Sequence, residues 1–175
     1  MAVRAAFEHA GPVYVRLGKN GEPALHSKGY DFKIGRAVEM HSGSDATIIV
    51  AGFVTTLALK AAEQLAKTGT SVRVLNMHTI KPIDQDAVLR AARETHAIVT
   101  VEEHSIIGGL GSAVAEVLAE SGIGMPFQRI GVQDSFCHGV GSQSYHLQRH
   151  GIEADAIGDK ILGLLDRKRV TARNT

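Results

Sequence analysis

The chain has 175 residues, 44% of them hydrophobic and 5% aromatic, with no tryptophan. Its 19 basic and 18 acidic residues leave a net charge of +1, which gives no electrostatic footprint for nucleic acid or an anionic membrane. The single cysteine, Cys137, excludes an intrachain disulfide, and no segment approaches the ~20 apolar residues of a membrane span, so a cytoplasmic protein is expected.

The first eleven residues carry no apolar run of signal-peptide length. PVYVRL (12–17) alternates and is β-branched, which predicts a strand, and its register stops at Gly18. Residues 18–31 are rich in Gly, Asn, Ser and Asp and read as a linker. From Ile34 the rhythm becomes regular. A short strand is predicted at 35–41 and a fully buried one at 47–52. A helix capped by Thr55 or Thr56 then ends at Gly69. A strand at 72–76 is followed by a helix announced by Pro82 and Asp84. A third buried strand at 97–102 leads through a Gly-rich loop to a helix striped by Leu110, Val114, Val117 and Leu118. The last strand is 129–132. Ser142 opens a short helix that ends at Gly151, and Ile157, Ile161, Leu164 and Leu165 mark the final one. The residues after 166 read as a basic, frayed tail.

Strands alternating with helices imply a mostly parallel sheet covered on both faces. Only five residues, SGSDA, separate the 35–41 strand from the next, too few for a parallel return, so this strand is expected to run antiparallel at or near an edge. The predicted units are residues 1–18 as the end of something preceding, 19–33 as linker, 34–166 as an α/β domain, and 167–175 as tail.

Four groups of residues invite a chemical reading. GGLGSAV (108–114) nearly matches a dinucleotide fingerprint through Gly109 and Gly111, but its sixth position is Val114 and the loop begins late after its strand. Glycines that admit close packing of a helix N-terminus account for it better. Glu102, Glu103 and His104 end a buried strand. They suit acid–base work, part of a metal site with His78, or helix capping and an interface, and alternation sets Glu102 and His104 on one side. Cys137 and His138 resemble a nucleophile and base, yet sequence neighbours rarely face each other productively. Arg16, late in its strand beside Gly18, suits either the fork recognition of a phosphate or carboxylate or a surface salt bridge.

Taken together, GPVYVRLGK, IGRAVEM, GSDATIIVAGFVTTLALKAAEQL, VRVLNMHTIKPID, IVTVEEHSIIGGLGSAVAEVLAE and IGVQDSF resemble the C-terminal part of transketolase, in particular the C-terminal subunit of its split form. The 1-deoxyxylulose-5-phosphate synthases and the beta subunits of 2-oxoacid dehydrogenases look similar. The resemblance implies a three-layer α/β/α domain with a five-stranded mixed sheet whose first strand is antiparallel. It also implies two-carbon ketol transfer between sugar phosphates by a parent enzyme that uses thiamine diphosphate and Mg²⁺. The family's diphosphate motif, GDG, does not occur here, and its activating Glu belongs to the preceding pyrimidine-binding domain, of which residues 1–18, with PVYVRL as its last strand, are expected to be the remnant. The chain is therefore expected to bind no cofactor alone, to contribute no catalytic residue or metal ligand, and to need a partner domain or subunit within a homo-oligomeric enzyme. Arg16 matches a position that contacts substrate phosphate in the family.

A reading of another class is an interaction module presenting His78, Glu102 and His104. A third is an anion site. If the family strand order holds, the loops carrying Gly52 and Thr55 and carrying Gly109 and Gly111 flank a topological switch point, where two helix N-termini converge.

Overall fold

The apolar runs pair into one five-stranded sheet. It is described by a computed structural model covering the backbone of residues 1–18, 23–26 and 30–173 and the side chains up to 167. The strands are β1 (Val38–His41), β2 (Ala46–Val50), β3 (Val72–Asn76), β4 (Ile98–Ser105) and β5 (Phe127–Val132), in the order β1-β3-β2-β4-β5. β2 pairs parallel with β3 and β4, and β4 pairs parallel with β5. β1 pairs antiparallel with β3 at one edge, as the short connection requires. That connection crosses the start of β3 so closely that a Cβ on Gly43 would lie 2.7 Å from the Val72 nitrogen. Asp45 and Ser71 fasten it with reciprocal bonds: the Ser71 amide donates to Asp45 Oδ2 at 2.7 Å and the Asp45 amide to the Ser71 carbonyl at 2.8 Å.

The helices among the described residues are α1 (Ala2–Glu8), α2 (Thr55–Lys67), α3 (Gln85–Glu94), α4 (Leu110–Ser121), α5 (Gln143–Arg149) and α6 (Ala154–Arg173). Side chains alternate along β2: Ile48 and Val50 pack with α2 and α6 on one face, and Ile49 packs with α3 and α4 on the other. This makes the three-layer α/β/α domain. Full burial of each such Ile or Val contributes roughly 1.5–3 kcal/mol.

The helices start where local chemistry allows. Asp84 caps α3 by accepting the Ala87 amide at 3.0 Å, and its other oxygen accepts the Ala37 amide at 2.8 Å, tying the lead-in of β1 to α3. Ser142 caps α5 through the Tyr145 amide. α2 has no side-chain cap of the predicted kind, because Thr55 and Thr56 point back and donate to the carbonyls of Gly52 and Phe53. Gly122, left-handed at φ +69°, ends α4.

Three expectations need correction, and one helix had no counterpart in the sequence reading. PVYVRL is not a strand: among the described residues nothing pairs with its backbone, and residues 11–18 are exposed. Alternation alone does not make a strand without a neighbour to take its hydrogen bonds. Residues 2–8 form α1, supported by an Arg4–Glu8 ion pair one turn apart at 2.9 Å. The first strand starts at Val38, because Gly35 turns at φ +78° against Pro82. α6 continues to Arg173 through the run read as a frayed tail. Of the linker, residues 19–22 and 27–29 lie outside the described residues. No helix among the described residues is long and apolar enough to cross a membrane.

Candidate functional site at the carboxyl ends of β2 and β4

β2 and β4 are neighbours, and the chain leaves them in opposite directions, β2 toward β3 and β4 toward β5. Their carboxyl ends therefore border a topological switch point. Gly52 turns there at φ +80°, and a Cβ on it would lie 3.4 Å from Glu103 Oε1 and 3.8 Å from Arg16 Nη1. Arg16 forms an ion pair through Nη1 with Glu103 Oε1. The Glu103 side chain is 5% exposed and that of Arg16 47%. A buried carboxylate needs a cation, whereas the guanidinium stays about half exposed. Gln143 lies 3.5 Å from the other Glu103 oxygen, long for a hydrogen bond.

Glu102 faces away from Glu103 and is 3% exposed. Its carboxylate accepts the amides of Leu110 and Gly111, each at 2.8 Å, and so caps α4 from the preceding strand. The glycines of the loop make room for this. A Cβ on Gly109 would collide with Glu102 Oε2, and one on Gly131 would lie 3.0 Å from Glu102 Cγ. On Gly111 it would meet Thr100 Oγ1 and Arg129 Cγ, each at 2.7 Å. The Gly-rich loop thus holds the chain's own carboxylate where a nucleotide fingerprint would hold a phosphate.

At the start of α2 the amides of Thr55, Thr56 and Leu57 bond to the carbonyls of Gly52, Phe53 and Val54. An external anion at either helix would have to displace these bonds or Glu102. His104 is exposed, and a register shift between Val101 and Ser105 interrupts the alternation that was to set it beside Glu102. His78 lies beyond the end of β3 instead, half-buried, stacked on Phe32 at 4.2 Å and hydrogen-bonded through Nδ1 to Thr79 Oγ1 at 2.9 Å. Burial, and then the nearby His26, lower its pKa from 6.5. Its Nε2 is buried without a partner. Cys137 Sγ meets His150 Nε2 at 3.2 Å; its sequence neighbour His138 is not the partner.

Sequence reasoning missed His26 and Asn76. The Asn76 amide nitrogen lies 3.0 Å from His26 Nε2, and His26 stacks on Tyr30 at 4.1 Å, so part of the linker lies against the end of β3. The cluster of His and aromatics at 26–32 was the available signal. The described residues do not fit thiamine diphosphate and its metal. The helix start with donors aimed outward from a strand end is filled by Glu102, and among the described residues no three His, Cys, Asp or Glu side chains converge as metal ligands would.

Residues 35–157 match the family model described as "Transketolase, C-terminal domain". The chain is 44% identical over 170 residues to a 6-deoxy-6-sulfo-D-fructose transketolase subunit of Clostridium sp. (strain MSTE9), covering 95% of this chain and 52% of that one. It is 35% identical over 172 residues to 1-deoxy-D-xylulose-5-phosphate synthase of Heliobacterium modesticaldum, covering 97% of this chain and 26% of that one. A split-gene transketolase solved as an inactive beta4 tetramer superposes with a TM-score of 0.88 at 41% identity, over 94% of this chain and 54% of that one. The chain spans about half the length of the transketolase relatives it matches. With the sheet order, the antiparallel edge strand and the matched residues in agreement, the chain belongs to the transketolase C-terminal domain family.

Proposed function

We propose that this chain is the C-terminal section of a transketolase that transfers two-carbon ketol units between sugar phosphates, and that it is inactive alone. Thiamine diphosphate and Mg²⁺ belong, on this reading, to a pyrimidine- and diphosphate-binding part supplied by a partner subunit or by further sequence. The assembled enzyme is a cytoplasmic homo-oligomer of such pairs. The split-gene neighbour, an inactive beta4 tetramer, supports the idea that this half assembles without turning over. The exposed run from Val13 to Leu17 is the surface that meets the missing part.

The observation that carries the reading is Arg16 at the switch point. Glu103 fixes one end of its fork, and the free edge of the guanidinium suits two oxygens of a substrate phosphate. Arg16 binds and orients the substrate; no proton-transfer step is assigned to it, because a guanidinium stays charged. The chain purified with a transketolase subunit carrying the thiamine-binding domains should convert pentose phosphates, whereas neither protein should do so alone. Turnover by this chain alone would refute the division of labour. The likeness to 1-deoxy-D-xylulose-5-phosphate synthase supplies a second reading, formation of that phosphate, and assaying the same mixture for this product distinguishes the two.

A further inference from the structure

β5 is the edge strand opposite β1. The Pro126 carbonyl accepts from the Ile98 amide and the Val132 carbonyl from the Ile106 amide, so even-numbered residues of β5 bond toward β4. By alternation Phe127, Arg129 and Gly131 present their amides and carbonyls to the open side. Gln133 reaches back to the Gly131 carbonyl at 3.3 Å, where an added strand would place an amide. Along this edge runs an open groove of about 540 Å³.

The charged side chains of the groove have one sign. Lys160 of α6 and Arg129 line it beside His150, and no Asp or Glu does. Arg129 donates to the Ile106 carbonyl at 2.7 Å and to Ser112 Oγ at 3.3 Å, so its charge meets no carboxylate there. Lys160 makes no ion pair among the described residues. A neighbouring hollow of about 390 Å³ continues the pattern with Arg149, set among His138 and His146 and again without an acid, beside an 88% exposed Phe136.

We propose that the β5 edge is a docking site for an extended, acidic segment of a partner protein, which adds to the sheet as a sixth strand. Backbone bonds to Phe127, Arg129 and Gly131 hold it, and carboxylates on alternate residues face Lys160 and Arg149. A second copy of this chain suits the edge less well. Two-fold pairing of β5 with itself would set the same cationic groove against its equal.

The test is a titration of the full chain with a synthetic peptide alternating glutamate and valine, followed by amide shifts. Shifts should concentrate at residues 127–133, and binding should weaken with added salt. Lys160→Glu, a change outside the buried core, should weaken binding by roughly three- to tenfold. A melting curve for this variant matching the parent excludes misfolding as the cause. The proposal is overturned if the peptide produces no shifts at millimolar concentration, if a lysine–valine peptide binds equally well, or if Lys160→Glu binds as the parent does. Concentration-dependent shifts at 127–131 without peptide would assign the edge to a second copy and would also overturn it.

Discussion

Arg16 and Glu103 lie 87 positions apart and form an ion pair at the mouth of the crevice between β2 and β4. This contact anchors the N-terminal segment to the sheet and turns a guanidinium toward the switch point. In the assembled enzyme, Arg16→Ala should lower kcat/KM for phosphorylated sugars by about ten- to a hundredfold, as expected for loss of a charged hydrogen-bonding group. The loss should appear mainly in KM and be much smaller with an unphosphorylated substrate. Steady-state kinetics on matched substrates reads this, and equal losses with both would deny Arg16 a phosphate role.

Glu102 makes a different prediction, on stability. Glu102→Ala leaves the amides of Leu110 and Gly111 without their acceptor in a buried site and should destabilise the fold by about 2–4 kcal/mol. Urea denaturation measures it. A change within about 0.5 kcal/mol would mean that water or another group caps α4 as well.

Glycines at the two ends of α4 divide by space. Gly111→Ala pushes a methyl against Thr100 and Arg129 and should cost about 1–3 kcal/mol. Gly124→Ala meets nothing within 4 Å and should stay within about 0.5 kcal/mol of the parent. Comparing their denaturation midpoints checks the pair.

Burial lowers the pKa of His78 and of His26 below 6.5. As the pH falls through 6.5 the unfolded chain takes up protons first, so the folded state loses stability; once the folded imidazoles are protonated the loss levels off. These two groups therefore add no pH dependence above neutrality. Melting temperature should fall as the pH drops from 7 toward 5, and a His26→Gln, His78→Gln double variant should flatten that slope, by about the pKa-linked share. A slope unchanged in the variant would assign the acid sensitivity to other groups.

Much of the fold was legible because its signals are local. Continuous apolar runs at 47–50 and 98–101 mark strands covered on both faces, and the short link after His41 dictates an antiparallel β1. PVYVRL misled because alternation describes a half-buried strand whether or not a neighbour is present. α1 was missed because its support is an exposed ion pair, without a buried stripe. The Glu102 cap was only half visible. Capping rules look for a side chain at the N-cap, which here is Gly109, and the carboxylate arrives from a residue eight positions before Leu110. The contact of His26 with Asn76 joins residues 50 apart and depends on how the linker lies, which no periodicity encodes.

If this chain carries none of the thiamine machinery and contributes Arg16 to a pocket completed by other residues, cofactor binding should require the other part. Calorimetry reads this most directly, by titrating thiamine diphosphate with Mg²⁺ into the chain alone and into its mixture with a subunit bearing the thiamine-binding domains. The chain alone should give no saturable heat, and the mixture should bind stoichiometrically. Stoichiometric binding by the chain alone would contradict the proposed division between the two parts.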